Sequence, residues 1–391
     1  MSQFDVDFVI FVLKIASMIN RLLGKIIDGR LDSGKAIIVL GSRQTGKTSL
    51  LKSIFEGKDG VLFMNGDDVD IRNLFENINA SRLKAIIGNH RYLVVDEAQR
   101  IPDVGLKFKL ITDQMPAVQL IASGSSAFEL ANKLNEPLTG RKWEYRMFPL
   151  SFKEMVDHHG LLEETRLLKH RMLYGYYPDV VNQQGAEKEI LKQLSESFLY
   201  KDILLMDQVK RPESLVRLLQ ALAYQVGSQV SYNELAQICS LDTKTVEKYI
   251  TLLEQSFVVF KLTSLSRNLR NELKKSRKIY FYDNGVRNAL IANFNQIENR
   301  TDVGALWENF LVSERMKYNH YSGRWVNSWF WRTTEQAEVD YVEEADGQMF
   351  AYEFKWNSNA KMKVSKTFTK AYAESKVDFI HPGNFESFLG F

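Results

Sequence analysis

Eight consecutive residues, Gly41-Ser42-Arg43-Gln44-Thr45-Gly46-Lys47-Thr48, carry the most specific chemistry in the chain. They lie between an apolar run, Ala36-Ile37-Ile38-Val39-Leu40, and a stretch of helical spacing that begins at Ser49. A strand, a glycine-bounded loop and a helix in that order let backbone N–H groups wrap a triphosphate at the positive end of the helix. Gly41 and Gly46 permit the wrap because they have no Cβ. On this reading residues Gly41, Ser42, Arg43, Gln44, Thr45, Gly46, Lys47, Thr48 and Ser49 bind ATP. The Lys47 ammonium reaches the β- and γ-phosphates, and the Thr48 hydroxyl joins the shell of Mg2+. A second apolar run, Tyr92-Leu93-Val94-Val95, ends in Asp96-Glu97. Asp96 at a strand end can hold Mg2+ through water, and Glu97 can polarise the attacking water as general base.

Further along, Val118–Ala122 reads as a strand ending in Ser123-Gly124-Ser125-Ser126. Ser123 or Ser125 could sense the γ-phosphate, or the stretch is simply a glycine-serine turn. Arg141 stands just before the last expected strand of this region and could reach a neighbouring subunit's γ-phosphate. Arg146 is the second choice for that role, and a plain surface arginine is the alternative.

The C-terminal part holds a different constellation. Asp346-Gly347 is a hairpin signal between two strand-like runs, Ala337–Val342 and Met349–Trp356. Folding about that dipeptide sets Asp340 opposite Glu353, and strand alternation puts Glu353 and Lys355 on one face. Glu308, in a helical pattern, could add a third carboxylate. Upstream, Arg267, Arg270, Lys274, Lys275, Arg277 and Lys278 crowd a stretch whose one acid is Glu272. Such clusters contact phosphate or form a solvated loop, and the reading here is phosphate contact, with DNA as the partner.

The elements that must position these groups are legible as patterns. Residues 151–211 are helical in spacing and poor in proline. Then come a helix from Leu215, a second opened by a capping box at Ser231-Tyr232-Asn233-Glu234, and a third capped by Asp242. The third buries Val246, Tyr249, Ile250 and Leu253, and the strand 257–262 follows it. Three helices and a strand give the order of a winged helix, with Lys244, Thr245 and Lys248 on the open face of the third helix. That face could read a major groove or serve as a protein spacer.

Bulk composition fits such a protein. With 391 residues, 45% hydrophobic and 25% charged, the chain can bury several cores. A net charge of +3 leaves any nucleic-acid surface to local patches. The single cysteine, Cys239, excludes an intramolecular disulfide and a cysteine-rich zinc site, and it reads as a buried core thiol. The apolar run Phe8–Leu13 is too short to span a bilayer and lacks the flanks of a signal peptide. An amphipathic N-terminal helix and a cytoplasmic protein without membrane contact are expected.

Several motifs together resemble one family. The phosphate loop, Leu93-Val94-Val95-Asp96-Glu97-Ala98-Gln99, Ser123-Gly124-Ser125-Ser126, Gly140-Arg141 and Phe148-Pro149-Leu150-Ser151-Phe152 are similar to bacterial and archaeal AAA-type P-loop ATPases. In these the ATPase is fused to a winged helix and a C-terminal domain of unknown function. Gly175-Tyr176-Tyr177-Pro178 and Tyr200-Lys201-Asp202 match the helical lid. The D…E-x-K pattern of Asp340, Glu353 and Lys355 resembles the PD-(D/E)XK nuclease fold, in which carboxylates hold Mg2+ and the lysine orients water. Val339, not proline, precedes Asp340 here. The resemblance implies an α/β protein: an N-terminal helix over 1–30, an AAA-type ATPase core over 31–150 and a helical lid over 151–211. A winged helix over 212–268 and a PD-(D/E)XK-like domain over 269–391 follow. It implies a homo-oligomer, such as a hexamer, that acts with ATP and Mg2+ on DNA, branched or junction DNA included. An ATP-gated nuclease using Glu308, Asp340, Glu353 and Lys355, and a nucleotide-controlled signalling or defence switch without DNA, are the alternatives.

Overall fold

The computed structural model describes residues 19–76, 78–125, 130, 134, 136–197, 209, 211–267, 276–359 and 365–391. Five strands, β1 (Ala36–Leu40), β2 (Val61–Asn65), β3 (Tyr92–Asp96), β4 (Gln119–Gly124) and β5 (Lys142–Arg146), form one parallel sheet in the order β2-β3-β4-β1-β5. The two motif strands β1 and β3 are buried along their whole length. That is why they read as unbroken apolar runs: helices cover both faces of a parallel sheet. Strand β4 stands between them, so the ends of β1, β3 and β4 come together at one edge.

Helices Phe152–His159, Leu161–Arg166, Leu168–Tyr174, Pro178–Asn182 and Glu187–Ser197 follow the sheet. The first is opened by a full capping box: the Glu154 N–H donates to Ser151 Oγ at 3.2 Å, and the Ser151 N–H donates to Glu154 Oε2 at 2.9 Å. Tyr200-Lys201-Asp202 lies outside the described residues, as does most of the N-terminal helix expected over 1–30; its end appears as Leu22–Asp28.

Three helices, Pro212–Tyr224, Tyr232–Cys239 and Thr243–Gln255, then pack around one core that includes the buried Cys239. Asp242 caps the third, accepting from the Thr245 N–H at 2.9 Å, and Val246, Tyr249, Ile250 and Leu253 are buried as their spacing requires. At Ser231 only half of the expected box forms: Ser231 Oγ accepts from the Glu234 N–H at 3.4 Å, while the Glu234 carboxylate accepts from Gln225 at 3.3 Å. Strands β6 (Val259–Thr263) and β7 (Arg277–Phe281) pair antiparallel. The segment from residue 277 therefore joins the hairpin that follows the three helices.

The long helix Val303–Tyr321 leads into a four-stranded sheet of β8 (Asn327–Arg332), β9 (Glu338–Ala345), β10 (Gln348–Phe354) and β11 (Lys376–Ile380), in the order β11-β10-β9-β8. The turn between β9 and β10 is Asp346-Gly347, at φ 51° and 78°, the left-handed pair that a tight hairpin needs. One hydrophobic core joins Phe152, Met155, Met172 and Tyr176 of the first helices to Leu306, Trp307, Phe310, Tyr341 and Phe354 of this last unit. The helices after the five-stranded sheet are thus joined by packing to the C-terminal sheet.

Candidate functional site

The loop after β1 is shaped by close approach. A Cβ on Gly41 would stand 2.2 Å from the Met147 carbonyl oxygen, and Gly46 sits at φ 91°. The Lys47 ammonium, buried, donates to the carbonyls of Gly41 (2.9 Å) and Ser42 (2.8 Å) and so spans the loop it belongs to. Across the loop mouth the Thr48 hydroxyl donates to Asp96 Oδ2 at 2.6 Å, and the Ser123 hydroxyl donates to Asp96 Oδ1. Asp96, at the end of β3, is thereby held between the helix that follows the β1 loop and the end of β4, neighbours that the strand order prepares.

Glu97 follows in the left-handed region at φ 49°, which turns its side chain out of the strand toward the cleft. Gln99 Nε2 donates to Glu97 Oε2 at 2.5 Å and to Ser125 Oγ at 3.0 Å. The two serines thus serve different carboxylates: Ser123 bonds Asp96 directly, and Ser125 reaches Glu97 through Gln99. Gly66 lets this turn close, since a Cβ there would lie 2.3 Å from the Glu97 carbonyl oxygen.

Gly46, Lys47, Thr48 and Glu97 line a cleft of about 560 Å3 whose other walls include Asn20, Arg21, Leu150, Pro178 and Asn182. Arg43, Gln44, Thr45 and Ser49 line it too. Two holding contacts escaped the sequence reading. Arg21 donates to the carbonyls of Thr45 (2.5 Å) and Phe148 (2.7 Å) and pairs with Glu154 at 2.9 Å, tying the phosphate loop to the following helices. Ser42 Oγ and Tyr177 OH are hydrogen-bonded at 2.9 Å. No local pattern announces Arg21; Gln99, two residues beyond Glu97, sits inside the motif and could have been flagged.

Arg141 lies elsewhere. Pairing of β1 with β5 aligns Ala36 with Lys142 and Leu40 with Arg146. Arg141 is therefore at the opposite edge of the sheet from the loop, roughly 16 Å away at the rise of a strand. There it pairs with Asp113 at 2.6 Å on the exposed surface. Arg146 stands at the loop's own edge, its N–H donating to His320 Nε2 at 3.1 Å. Burial, with the Arg146 guanidinium beside it, pushes His320 down to about 4.

The C-terminal constellation assembles around a lysine. The pairing of Tyr341 with Tyr352 carries Asp340 to Glu353, and the Phe354 N–H donates to Asp340 Oδ2 at 2.8 Å. Lys355 Nζ lies 3.2 Å from Glu353 Oε2 and 3.9 Å from Asp340 Oδ2. Glu308 is different from expectation: it accepts from Lys278 Nζ at 2.9 Å and from Tyr280 OH at 2.6 Å, and Lys278 also pairs with Glu338 at 2.7 Å. Lys278, expected as an exposed DNA contact, is 1% exposed. Strand alternation in β7 turns it into the carboxylates, and a buried ammonium cannot meet a phosphate backbone. Despite the cost of burial, Glu308 and Glu338 hold it raised, in its charged form. Burial pushes Glu308 up to about 7 against the pull of Lys278; burial and Asp340 push Glu353 up to about 7. Among the described residues no three or more His, Cys, Asp or Glu are grouped to hold a metal ion. Two ammonium groups, from Lys278 and Lys355, lie against the carboxylates Glu308, Asp340 and Glu353, the set expected to share Mg2+.

Of the remaining basic residues, Lys244 and Lys248 are exposed on helix Thr243–Gln255. Arg277 is half-buried, stacked over the Tyr232 ring at 4.1 Å with Glu247 at 4.0 Å. Arg267 pairs with Glu344 at 2.7 Å. Arg270, Lys274 and Lys275 lie outside the described residues.

Comparison with known proteins bears on the first site. Residues 33–156 match the family model of an AAA domain. Residues 165–297 and 303–385 match two domains of unknown function, DUF8612 and DUF4143. An uncharacterized protein of Mycobacterium tuberculosis is 25% identical over 362 residues, spanning 90% of this chain and 78% of that protein. One from Methanocaldococcus jannaschii is 21% identical over 395 residues, 95% of this chain and 85% of its own. A Walker-type ATPase of Pyrococcus abyssi aligns with 70% of this chain and 96% of its own at a TM-score of 0.48 and 14% identity. The AAA match, the five-stranded parallel sheet and the phosphate loop define the class: the N-terminal part is a P-loop ATPase core. No described helix is long and apolar enough to cross a membrane.

Proposed function

We propose that the chain is a Mg-ATP-hydrolysing AAA-type ATPase that acts on DNA. The observation that carries the hydrolytic part is the chain of contacts Thr48–Asp96–Ser123, with Lys47 and Glu97 around the same cleft. The cradle fits the nucleotide: Gly46 leaves the loop backbone open, Lys47 is buried inside it, and the Thr48 and Asp96 oxygens stand together as hard ligands for Mg2+. Bound Mg-ATP would supply a phosphoryl group whose negative charge the cation screens. The chain's own part is to orient it. Lys47 would exchange its two carbonyl acceptors for phosphate oxygens, Glu97 would take a proton from water, and Gln99 holds Glu97 in place until then. Arg141, remote from its own cleft, would act only on the cleft of a neighbouring copy, which is the reading of the chain as an oligomer.

DNA as the substrate is supported by the exposed Lys244 and Lys248 on the third of three helices that precede a two-stranded hairpin, the arrangement of a winged helix, expected over 212–268 and here completed by the strand Arg277–Phe281. A second reading, an ATP-gated nuclease, draws on Asp340, Glu353 and Lys355 sharing one hairpin in the D…E-x-K pattern of residues 269–391. ATP turnover with single-stranded, duplex and four-way junction DNA tests both. Glu97→Gln is expected to lower turnover by about 10²–10⁴-fold while nucleotide still binds. Stimulation by one DNA shape without cleavage supports the first reading, and cleavage lost in Asp340→Ala supports the second. Flat turnover and no DNA binding would refute both and leave a nucleotide switch in the cytoplasm.

A further inference from the structure

A second cleft, of about 530 Å3, opens where the end of β5, the β6–β7 hairpin and the end of helix Val303–Tyr321 meet. Two arginines, Arg146 and Arg324, belong to its lining. Among the described residues neither has a carboxylate partner; Arg324 rests on the Tyr318 ring at 5.5 Å, and the one acid in the lining, Glu254, is taken by Lys261 at 2.6 Å. Unpaired arginines at a cleft are an anion site in waiting.

Two further features narrow the anion. Asn319, 6% exposed, lines the cleft and donates through Nδ2 to Glu343, which leaves its Oδ1 buried without a hydrogen-bond partner. A buried acceptor in that state is satisfied only by an incoming N–H or O–H. Phe260 and Tyr282, ring centroids 5.0 Å apart, make an aromatic wall beside it. Phosphate alone would use the arginines and leave the acceptor and the wall idle. Just outside, between the lining residues Arg324 and Val326, Trp325 is 93% exposed, a stacking platform with nothing on it.

We propose that this cleft binds a nucleoside phosphate unit, either a free mononucleotide or the end of a single strand. Arg146 and Arg324 take the phosphate, Asn319 Oδ1 accepts an N–H from the base edge, and the Phe260–Tyr282 wall takes the base face. A strand would lay its next base on Trp325. This site is separate from the phosphate loop and does not rest on the ATPase reading.

The test is a binding titration on the full chain, with Mg2+ and a slowly hydrolysed ATP analogue saturating the phosphate loop. The probes are thymidine 5′-monophosphate, its N3-methyl analogue, thymidine, inorganic phosphate and a 5′-phosphorylated thymidine tetranucleotide. Thymidine monophosphate is expected to bind saturably, and N3-methylation, which removes the donor for Asn319, to weaken it about tenfold. Arg146→Met and Arg324→Met are each expected to cost about tenfold or more. Trp325→Ala, which removes a fully exposed ring and leaves the fold alone, separates the sources. Loss of tetranucleotide but not of monophosphate affinity assigns a strand, and no change in either assigns a free mononucleotide. Absence of saturable binding by any probe, inorganic phosphate binding as tightly as the monophosphate, or monophosphate binding indifferent to both arginine changes would overturn the proposal.

Discussion

Lys278→Met would turn the C-terminal cluster from a compensated charge group into an uncompensated one, and its pH dependence is the informative part. In the native chain the buried ammonium lies 2.9 Å from Glu308 and 2.7 Å from Glu338. Removing one partner of a buried pair costs about 3–5 kcal/mol when the other charge stays. Glu308 can escape that cost by protonating. Its folded pKa is already raised to about 7, above the unfolded value near 4.5, so the folded state binds the extra proton. Stability contributed by that proton is full below the unfolded value and is lost as pH rises toward 7, at about 1.4 kcal/mol per unit. Without the Lys278 charge, which pulls Glu308 down, the folded value moves higher still. The variant then goes on losing stability above pH 7, where the native chain has stopped losing it. Urea unfolding followed by tryptophan fluorescence at pH 6 and pH 9 should show the difference between the two chains growing by about 2–3 kcal/mol. Trp307, next to Glu308 and edge-on to Trp356 at 5.5 Å, is a local reporter. Lys278→Met with Glu308→Gln should remove the pH-dependent part. A difference that is the same at both pH values, or below about 1 kcal/mol at pH 9, would refute the reasoning.

Gly41→Ala should damage the ATPase core from within: its Cβ would meet the Met147 carbonyl oxygen at 2.2 Å, so the loop must move. A loss of about 1–3 kcal/mol in thermal or urea unfolding, with nucleotide affinity falling alongside, is expected. Ser123→Ala should weaken Mg2+-dependent nucleotide binding by freeing Asp96, whereas Ser125→Ala should lower turnover through Gln99 and Glu97 at unchanged affinity. Measured Kd and kcat for the two variants distinguish these roles. His320, at about 4 in the fold against 6.5 unfolded, takes up its proton only on unfolding between those values. Native stability should therefore fall as pH drops from 6.5 toward 4, and His320→Phe should remove part of that slope in acid unfolding.

Much of the ATPase half is legible in the sequence because its chemistry is local. A phosphate loop is eight consecutive residues, and Asp96-Glu97 are adjacent, so type and spacing reveal them before any fold is known. The β9–β10 hairpin is equally local: Asp346-Gly347 sets the register that brings Asp340 to Glu353. What escapes is long-range. Lys278 reads as one of six basic residues within a twelve-residue stretch, and only the alternation of β7 and the arrival of helix Val303–Tyr321 turn it inward to Glu308, thirty residues on. Arg21 reaches Phe148 and Glu154 across more than 120 positions, a distance over which a sequence has no periodicity to offer. Arg141 was read from its place before a strand. A parallel sheet puts that place at the far edge from the loop, a consequence of strand direction that composition does not carry.

The stretches that match separate family models end at residue 297 and begin again at residue 303, as though the chain were beads on a string. The lysine and the carboxylates it serves lie on opposite sides of that gap. So do Phe152 and Phe385, whose rings meet edge to face at 5.1 Å. A fragment starting near residue 300 would carry Glu308, Glu338, Asp340 and Glu353 with Lys278 missing and half of its core exposed to water. Dissection at that point would yield an insoluble piece, and an exchange of C-terminal parts between relatives would succeed only if the strand bearing the lysine travelled with them. By their contacts the second and third matched stretches are one packed unit.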